Sequence, residues 1–129
     1  METKKHVVIV TDGADSTVRI AEQIAAELKK HDVVIRKASD FAGTDILPAD
    51  VFFLGCEQPN PPSFAYLADL LRHINLAGRR CGVFSPDSAK PLTYLTGLVH
   101  DCEAVLGEPF VARDGAAGLK QWIKSICNG

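Results

Sequence analysis

Continuous runs of apolar residues occur at five places along the chain. The runs VVIV at residues 7–10 and VFFL at residues 51–54 contain no polar alternation, which is typical of strands buried on both faces of a parallel sheet. Shorter apolar runs are VVI at 33–35, CGVF at 81–84 and FVA at 110–112. The sequence therefore predicts five short strands.

A second pattern, with apolar residues at every third or fourth position, separates these runs. Such spacing places apolar side chains on one face of an amphipathic helix. Four segments show it: Ile20 to Leu28, Phe64 to Ile74, Leu92 to Cys102 and Leu119 to Ile126. Polar residues and glycines predict the helix ends. Asp15 or Ser16 caps the first helix, Ser63 caps the second, the second ends near Gly78, and Gly107 closes the third.

The alternation of strands and helices with short connections predicts an α/β fold with parallel strands and right-handed crossovers. We expect one doubly wound, three-layer domain over residues 1–129, with a single five-stranded parallel sheet. Ligands of such sheets bind beyond the carboxyl ends of the strands. This rule selects three loops before any motif is considered, at residues 11–17, 56–63 and 85–90.

Composition places the chain in the ordinary globular class. It has 129 residues, of which 47% are hydrophobic and 23% charged, and its net charge is −2. No stretch approaches the ~20 apolar residues of a membrane helix, and the run at 7–10 is too short for a signal peptide. We therefore expect a cytoplasmic protein that binds neither membranes nor nucleic acid, because the chain carries no basic excess.

The cysteines are too widely spaced for a metal or redox motif. Cys56, Cys81, Cys102 and Cys127 form no C-x-x-C pair, so we predict four free, mostly buried thiols and no metal site. No G-x-G-x-x-G, Walker or nucleophile-elbow motif occurs. The sequence therefore identifies no catalytic residue.

Three segments resemble the flavodoxin family, and they occur in the family's order. Residues 17–28 read TVRIAEQIAAEL, residues 47–55 read LPADVFFLG, and residues 76–85 read LAGRRCGVFS. They are similar to the family's phosphate-loop threonine with its following helix, to its third strand and to its fourth strand. The resemblance covers nearly the whole chain. It implies a strand order of 2-1-3-4-5 with helices on both faces and, for most members, bound FMN and one-electron transfer.

The resemblance also implies where FMN would lie. Its phosphate would bind a loop that reads (S/T)-x-(S/T)-G-x-T in the family. The corresponding residues here are Asp12, Gly13, Ala14, Asp15, Ser16 and Thr17. The flavin ring would lie along Gln58, Asn60 and Ser85 in the loops after the third and fourth strands.

The phosphate loop departs from the family pattern at three of the four positions that the pattern specifies. Asp12 and Ala14 replace the two hydroxyl residues, Asp15 replaces the glycine, and only Thr17 matches. At ~5 Å and an effective dielectric constant of ~20, a carboxylate repels a phosphate charge by roughly 3 kcal/mol. A helix N-terminus attracts an anion by only ~0.3–1 kcal/mol, and by up to ~2. Repulsion therefore weakens FMN binding if both carboxylates face the loop; alternatively, Asp12 forms the turn.

Two functional hypotheses follow. The first is a flavodoxin-like protein that uses FMN for electron transfer with a redox partner protein, or acts as a small flavin reductase. The second is a flavodoxin-like binding or regulatory module that has lost FMN. In the second hypothesis the same cleft presents an acidic surface comprising Asp12, Asp15, Glu57 and Asp87.

Overall fold

The predicted alternation of strands and helices is present in the structure, a computed structural model in which residues 4–112 and 118–128 are described. The strands are β1 (His6–Thr11), β2 (Asp32–Lys37), β3 (Val51–Gly55), β4 (Arg80–Ser85), β5 (Val105–Leu106) and β6 (Phe110–Val111). The helices are α1 (Asp15–Glu27), α2 (Gly43–Ile46), α3 (Ala65–Leu71), α4 (Lys90–Asp101) and α5 (Leu119–Asn128), with short 3₁₀ turns at Ala38–Asp40 and Pro62–Phe64. None of the described helices is long and apolar enough to cross a membrane.

All the strands pair in parallel in a single sheet. Its order is β2-β1-β3-β4-β5, and β6 also pairs with β4. The order 2-1-3-4-5 is therefore confirmed, with β1 inside the sheet as the apolar run at residues 7–10 requires. The fold is flavodoxin-like.

The two faces of the sheet bury separate apolar clusters. Val8 and Phe52 point to the face covered by α3 and α4, whereas Val7 and Phe53 point to the face covered by α1 and α5. Because successive side chains of a strand alternate between faces, a continuous apolar run supplies both clusters at once. Each of these four side chains is at most 1% exposed, which corresponds to about 1.5–3 kcal/mol of hydrophobic stabilisation per side chain.

The fifth strand differs from the prediction because it is split in two. The sequence indicated one strand at residues 110–112, but β5 at Val105–Leu106 also pairs with β4. Pro109, which has no N–H to donate, lies between the two pieces. The Trp122 indole donates a hydrogen bond to the Glu108 carbonyl at 2.5 Å and its ring stacks on Phe110 at 4.9 Å. These contacts hold the interruption in place.

Three helix ends also correct the predictions. Helix α4 ends at Asp101, and Glu103 rather than Gly107 takes the left-handed conformation after it, with φ of 64°. Ser63 was predicted to be the N-cap of α3. It lies instead inside the 3₁₀ turn that precedes α3, and Phe64 is the N-cap residue. Helix α3 ends at Leu71, well before Gly78.

The four cysteines are buried free thiols, as predicted. Burial raises the pKa of Cys81 well above its ordinary value, and the neighbouring Cys102 raises it further. Burial also raises the pKa of Cys102 and of Cys127. These thiols therefore remain protonated at neutral pH and serve as small apolar side chains.

Candidate functional site

The three loops selected from the sequence meet at the carboxyl edge of the sheet. In the strand register Thr11 pairs with Gly55, and Gly55 pairs with Phe84. The ends of β1, β3 and β4 therefore lie side by side. The loops that follow these strands form the candidate site.

Asp12 connects two of these loops through its carboxylate. Its Oδ1 accepts the backbone N–H of Ala14 at 3.1 Å, and its Oδ2 accepts the backbone N–H of Glu57 at 2.8 Å. The first contact confirms Asp12 as a turn former. Hydrogen bonds to a charged group typically contribute about 1.5–3 kcal/mol each, so Asp12 holds the loop after β1 against the loop after β3.

Ser16 and Glu57 form a second contact between the same loops. The Ser16 hydroxyl donates to Glu57 Oε2 at 2.5 Å, and both side chains are half-buried. The sequence placed Ser16 in the phosphate loop and Glu57 only on the acidic surface. It gave no sign that they touch, because 41 residues separate them.

The N-terminus of α1 has no side-chain cap. Ala14 is its N-cap residue and makes no side-chain hydrogen bond, so neither Asp15 nor Ser16 caps this helix as predicted. The first N–H groups of a helix have no acceptor within the helix. Thr17, in the first turn, is fully buried, and its hydroxyl has no hydrogen-bond partner among the described residues. Unpaired donors are therefore gathered at the start of α1.

Gly13 gives the loop its shape and brings a cation close to it. Its φ of 84° is left-handed, a conformation that glycine adopts without strain. Its N–H donates to Thr11 Oγ1 at 3.2 Å. A Cβ at this position would lie 3.5 Å from the side chain of Lys37, so the stem of Lys37 packs over the loop. Lys37 is the last residue of β2, so nothing in the sequence of the loop itself indicated this contact.

The predicted ring-side residues differ in their exposure. Gln58 and Asn60 are exposed at the loop after β3. Ser85 is fully buried, and its hydroxyl donates to the carbonyl of Ser88 within its own loop. The loop after β3 (residues 56–63) and the loop after β4 (residues 85–90) contain no aromatic residue.

The aromatic residues that follow these loops pack against each other at one core cluster. Phe64 and Tyr94 lie with ring centroids 6.3 Å apart and planes tilted by 54°. The Tyr94 hydroxyl is buried without a partner among the described residues. Burial, followed by the influence of Cys56, raises the Tyr94 pKa, although Arg72 lowers it in part.

Cys56 follows β3 directly and is fully buried. Burial, and secondarily the charge of Asp12, raises the Cys56 pKa from 9.0 to about 12. A thiol is nucleophilic only as the thiolate. Cys56 therefore offers no nucleophile at neutral pH.

A groove of about 270 Å³ adjoins the start of α1. Ser16, Arg19 and Gln23 line it from α1, while Pro86 and Asp87 line it from the loop after β4. The groove thus carries both a guanidinium and a carboxylate. It lies between α1 and the loop after β4, and Ala112, which follows β6, also lines it.

The donor set at α1 fits a phosphate group, whereas the carboxylates oppose it. The Thr17 hydroxyl and the uncapped first turn supply donors, and a helix N-terminus favours an anion. Asp12, Asp15 and Glu57 place three carboxylates at the same loops, with Lys37 as the nearby cation. Within the described residues, no group of three or more potential metal ligands is present to change this charge balance.

Comparison with solved structures identifies flavodoxins as structural neighbours. A short-chain flavodoxin associated with a bacterial microcompartment superposes with a TM-score of 0.81 at 15% identity, over 98% of both chains. Flavodoxin 2 from Bacillus cereus gives 0.79 at 21% identity, over 98% of this chain and 99% of that one. A Fusobacterium nucleatum flavodoxin mutant bound to flavin mononucleotide gives 0.74 at 13% identity, over 97% and 94%. These similarities establish the fold.

Sequence comparison adds no relative. No protein-family model matches this chain, and no curated protein matches it.

Proposed function

We propose that the cleft at the carboxyl edge binds FMN, and that the protein transfers electrons to or from a redox partner protein. The observation that carries this proposal is the buried hydroxyl of Thr17 in the uncapped first turn of α1, to which no described residue forms a hydrogen bond. It lies at the one position of the phosphate loop where the chain matches the flavodoxin pattern. The full-length similarity to flavodoxins, one of them described as bound to flavin mononucleotide, supports it.

The loop after β1 holds the phosphate in this proposal. The Thr17 hydroxyl and the first N–H groups of α1 donate to it, and Gly13 lets the backbone approach closely. Lys37 offsets part of the negative charge. Gln58 and Asn60 provide polar groups beside the ring. Bound FMN supplies one-electron redox chemistry, which no side chain of the cleft supplies.

The carboxylates make this binding weaker than the fold alone suggests. Asp12 and Asp15 each repel a phosphate charge at ~5 Å by roughly 3 kcal/mol before screening. Riboflavin has no phosphate and avoids this repulsion. We therefore expect the protein to lose more affinity for FMN than for riboflavin, relative to a flavodoxin with the usual phosphate loop.

A fluorescence-quenching titration tests the proposal. The double variant Asp12→Ser with Asp15→Gly should bind FMN about 10- to 100-fold more tightly than the native chain, since screening reduces the full Coulomb gain. Its affinity for riboflavin should change much less. The double variant Asp69→Asn with Asp101→Asn is the matched control, because it removes two exposed carboxylates outside the three loops. Failure of both the native chain and the loop variant to bind FMN would contradict the proposal.

A flavin-free binding module is the second candidate, and two contacts favour it. Asp12 already satisfies the N–H groups of Ala14 and Glu57, and Ser16 already donates to Glu57. The loops are thus held together without a ligand. In this reading the acidic surface, with Asp15 and Asp87 exposed, contacts a partner with a basic surface. A protein that binds neither FMN nor riboflavin, in native and variant forms, would favour this module.

A further inference from the structure

A second concave surface lies at the opposite edge of the sheet, where the strands begin. It is a hollow of about 400 Å³ lined by Lys5, Asp50, Gly78, Arg79 and Arg80, among others. Gly78 has a φ of 86°, and no atom lies within 4 Å of the position that a Cβ would occupy there. The rim is therefore open at this turn. Three cations and one carboxylate give the hollow a formal charge of +2.

Arg79 is fixed in place by carbonyl groups rather than by a carboxylate. Its Nη1 donates to the carbonyl of Leu47 at 2.6 Å and to that of Ala49 at 3.0 Å. These bonds orient the guanidinium and leave its charge unneutralised. Asp50, the one carboxylate of the hollow, accepts the backbone N–H of His6 at 2.9 Å.

Lys5 and Arg80 supply the other two cations of the hollow. The Lys5 ammonium donates to the carbonyl of Cys127 at 2.6 Å. Burial raises the pKa of the Cys127 thiol, and the charges of Lys5 and Arg80 oppose that rise. The hydrogen bond places the Lys5 ammonium at the end of α5, and the charge of Arg80 acts on the same thiol. The described residues form two ion pairs, and a histidine is the cation in each of them. No lysine or arginine among the described residues is therefore neutralised by a carboxylate.

More cations surround this edge of the sheet. Four exposed lysines lie before β1, in the turn after α1 and on α5: Lys4, Lys29, Lys30 and Lys124. A cluster of one sign raises the local concentration of ions of the other sign. Four exposed carboxylates lie at the same edge, on Glu27, Asp32, Asp101 and Glu103, so the excess of positive charge belongs to the hollow itself, in a chain whose net charge is −2.

We propose that this hollow, which we call the basic hollow, binds a phosphate-type oxyanion of two or more charges through Arg79, Arg80 and Lys5. Guanidinium groups bind such oxyanions in a bidentate manner, and a lysine adds a point charge. The site is separate from the FMN cleft, because the hollow lies at the start of the strands and the cleft at their ends. The anion is a soluble phosphate compound or the phosphate of a lipid headgroup.

Calorimetric titration of the full chain with inorganic pyrophosphate tests this proposal. We expect pyrophosphate to bind, with an affinity that falls as the salt concentration rises. The variant Arg80→Gln should bind at least about tenfold more weakly, which corresponds to a loss of about 1.4 kcal/mol of binding free energy. Arg36→Gln is the matched control: Arg36 is exposed on β2, outside the hollow, and its variant should bind within about twofold of the native chain. Lys5→Gln should also weaken pyrophosphate binding. This second variant tests the proposal if the Arg80→Gln protein does not fold. Absence of binding up to about 10 mM pyrophosphate, or equal losses in the Arg36 and Arg80 variants, would overturn it.

Cosedimentation with vesicles distinguishes the two sources of the phosphate. Binding to vesicles that contain phosphatidic acid, lost in Arg80→Gln and absent with phosphatidylcholine alone, would assign a lipid headgroup. Pyrophosphate binding without vesicle binding would assign a soluble phosphate compound. Lack of both activities would remove the proposal.

Discussion

The carboxylate of Asp12 accepts the backbone N–H of Glu57 at 2.8 Å and so joins the loops after β1 and β3. Its other oxygen accepts the N–H of Ala14. One side chain therefore fixes both the turn before α1 and the spacing of the two loops. The same carboxylate opposes a bound phosphate, so stability and FMN affinity should respond in opposite directions when Asp12 is changed.

Replacing Asp12 should reveal its structural role in the flavin-free protein. Asp12→Ala leaves two backbone N–H groups without their acceptor, and we expect the free energy of unfolding to fall by about 1–3 kcal/mol. Asp12→Asn keeps one oxygen acceptor and should lose less. Urea unfolding followed by Trp122 fluorescence measures both variants. Asp87→Ala, which removes an exposed carboxylate, is the control; an equal loss there would contradict the role given to Asp12.

Thr17→Val should separate stability from flavin binding. The buried Thr17 hydroxyl has no hydrogen-bond partner in the described part of the chain, so replacing it with a methyl group should stabilise the flavin-free protein by about 1 kcal/mol. The same change removes a phosphate donor and should weaken FMN binding about tenfold or more. Urea unfolding without flavin and an FMN titration measure the two effects. Thr93→Val, at an exposed site on α4, controls for helix propensity; a destabilised Thr17→Val protein would argue against an unpartnered hydroxyl.

Cys56 should make the protein less stable in alkali. Burial, followed by the charge of Asp12, raises the folded pKa from 9.0 to about 12. The unfolded chain releases this proton near pH 9 while the folded chain retains it. The contribution of Cys56 is therefore complete below pH 9 and is lost as the pH rises towards 12, at about 1.4 kcal/mol per pH unit.

Urea unfolding between about pH 8 and 11 tests this linkage. Cys56→Ala should show a shallower fall of the unfolding free energy than the native chain. Some fall should remain, because burial also raises the pKa of the other three cysteines and of Tyr94. Identical slopes in the two proteins would mean that Cys56 titrates alike in the folded and unfolded states.

Gly55 and Gly97 should respond oppositely to alanine. A Cβ at Gly55 would overlap the ring of Phe84, whereas nothing lies within 4 Å of the corresponding position at Gly97. We expect Gly55→Ala to destabilise the protein by about 1–3 kcal/mol, and Gly97→Ala, within α4, to stabilise it by about 0.5–1 kcal/mol. Thermal unfolding measures both, and a neutral Gly55→Ala variant would show that Phe84 has room to move.

The order of the sheet and the layers on its two faces could be predicted from the sequence. Unalternated runs such as residues 7–10 and 51–54 require cover on both faces, and the resemblance to flavodoxins supplied the strand order. Helix ends were predicted less well because they depend on neighbours. Ser63 has the residue type of an N-cap, but packing of Phe64 in the core places it in a 3₁₀ turn instead.

Residue types and their spacing were enough to predict the apolar runs, the ends of the strands and the carboxylates that replace the usual residues of a phosphate loop. These properties are local, because they depend only on residue type and spacing. Which groups these carboxylates contact depends on the tertiary structure. The Asp12 carboxylate accepts a hydrogen bond from Glu57, which lies 45 residues away in the sequence. At the other edge of the sheet, Lys5 lines the same hollow as Arg79 and Arg80. Parallel strands bring their beginnings together at one edge and their ends at the other, so chain segments distant in sequence share each site.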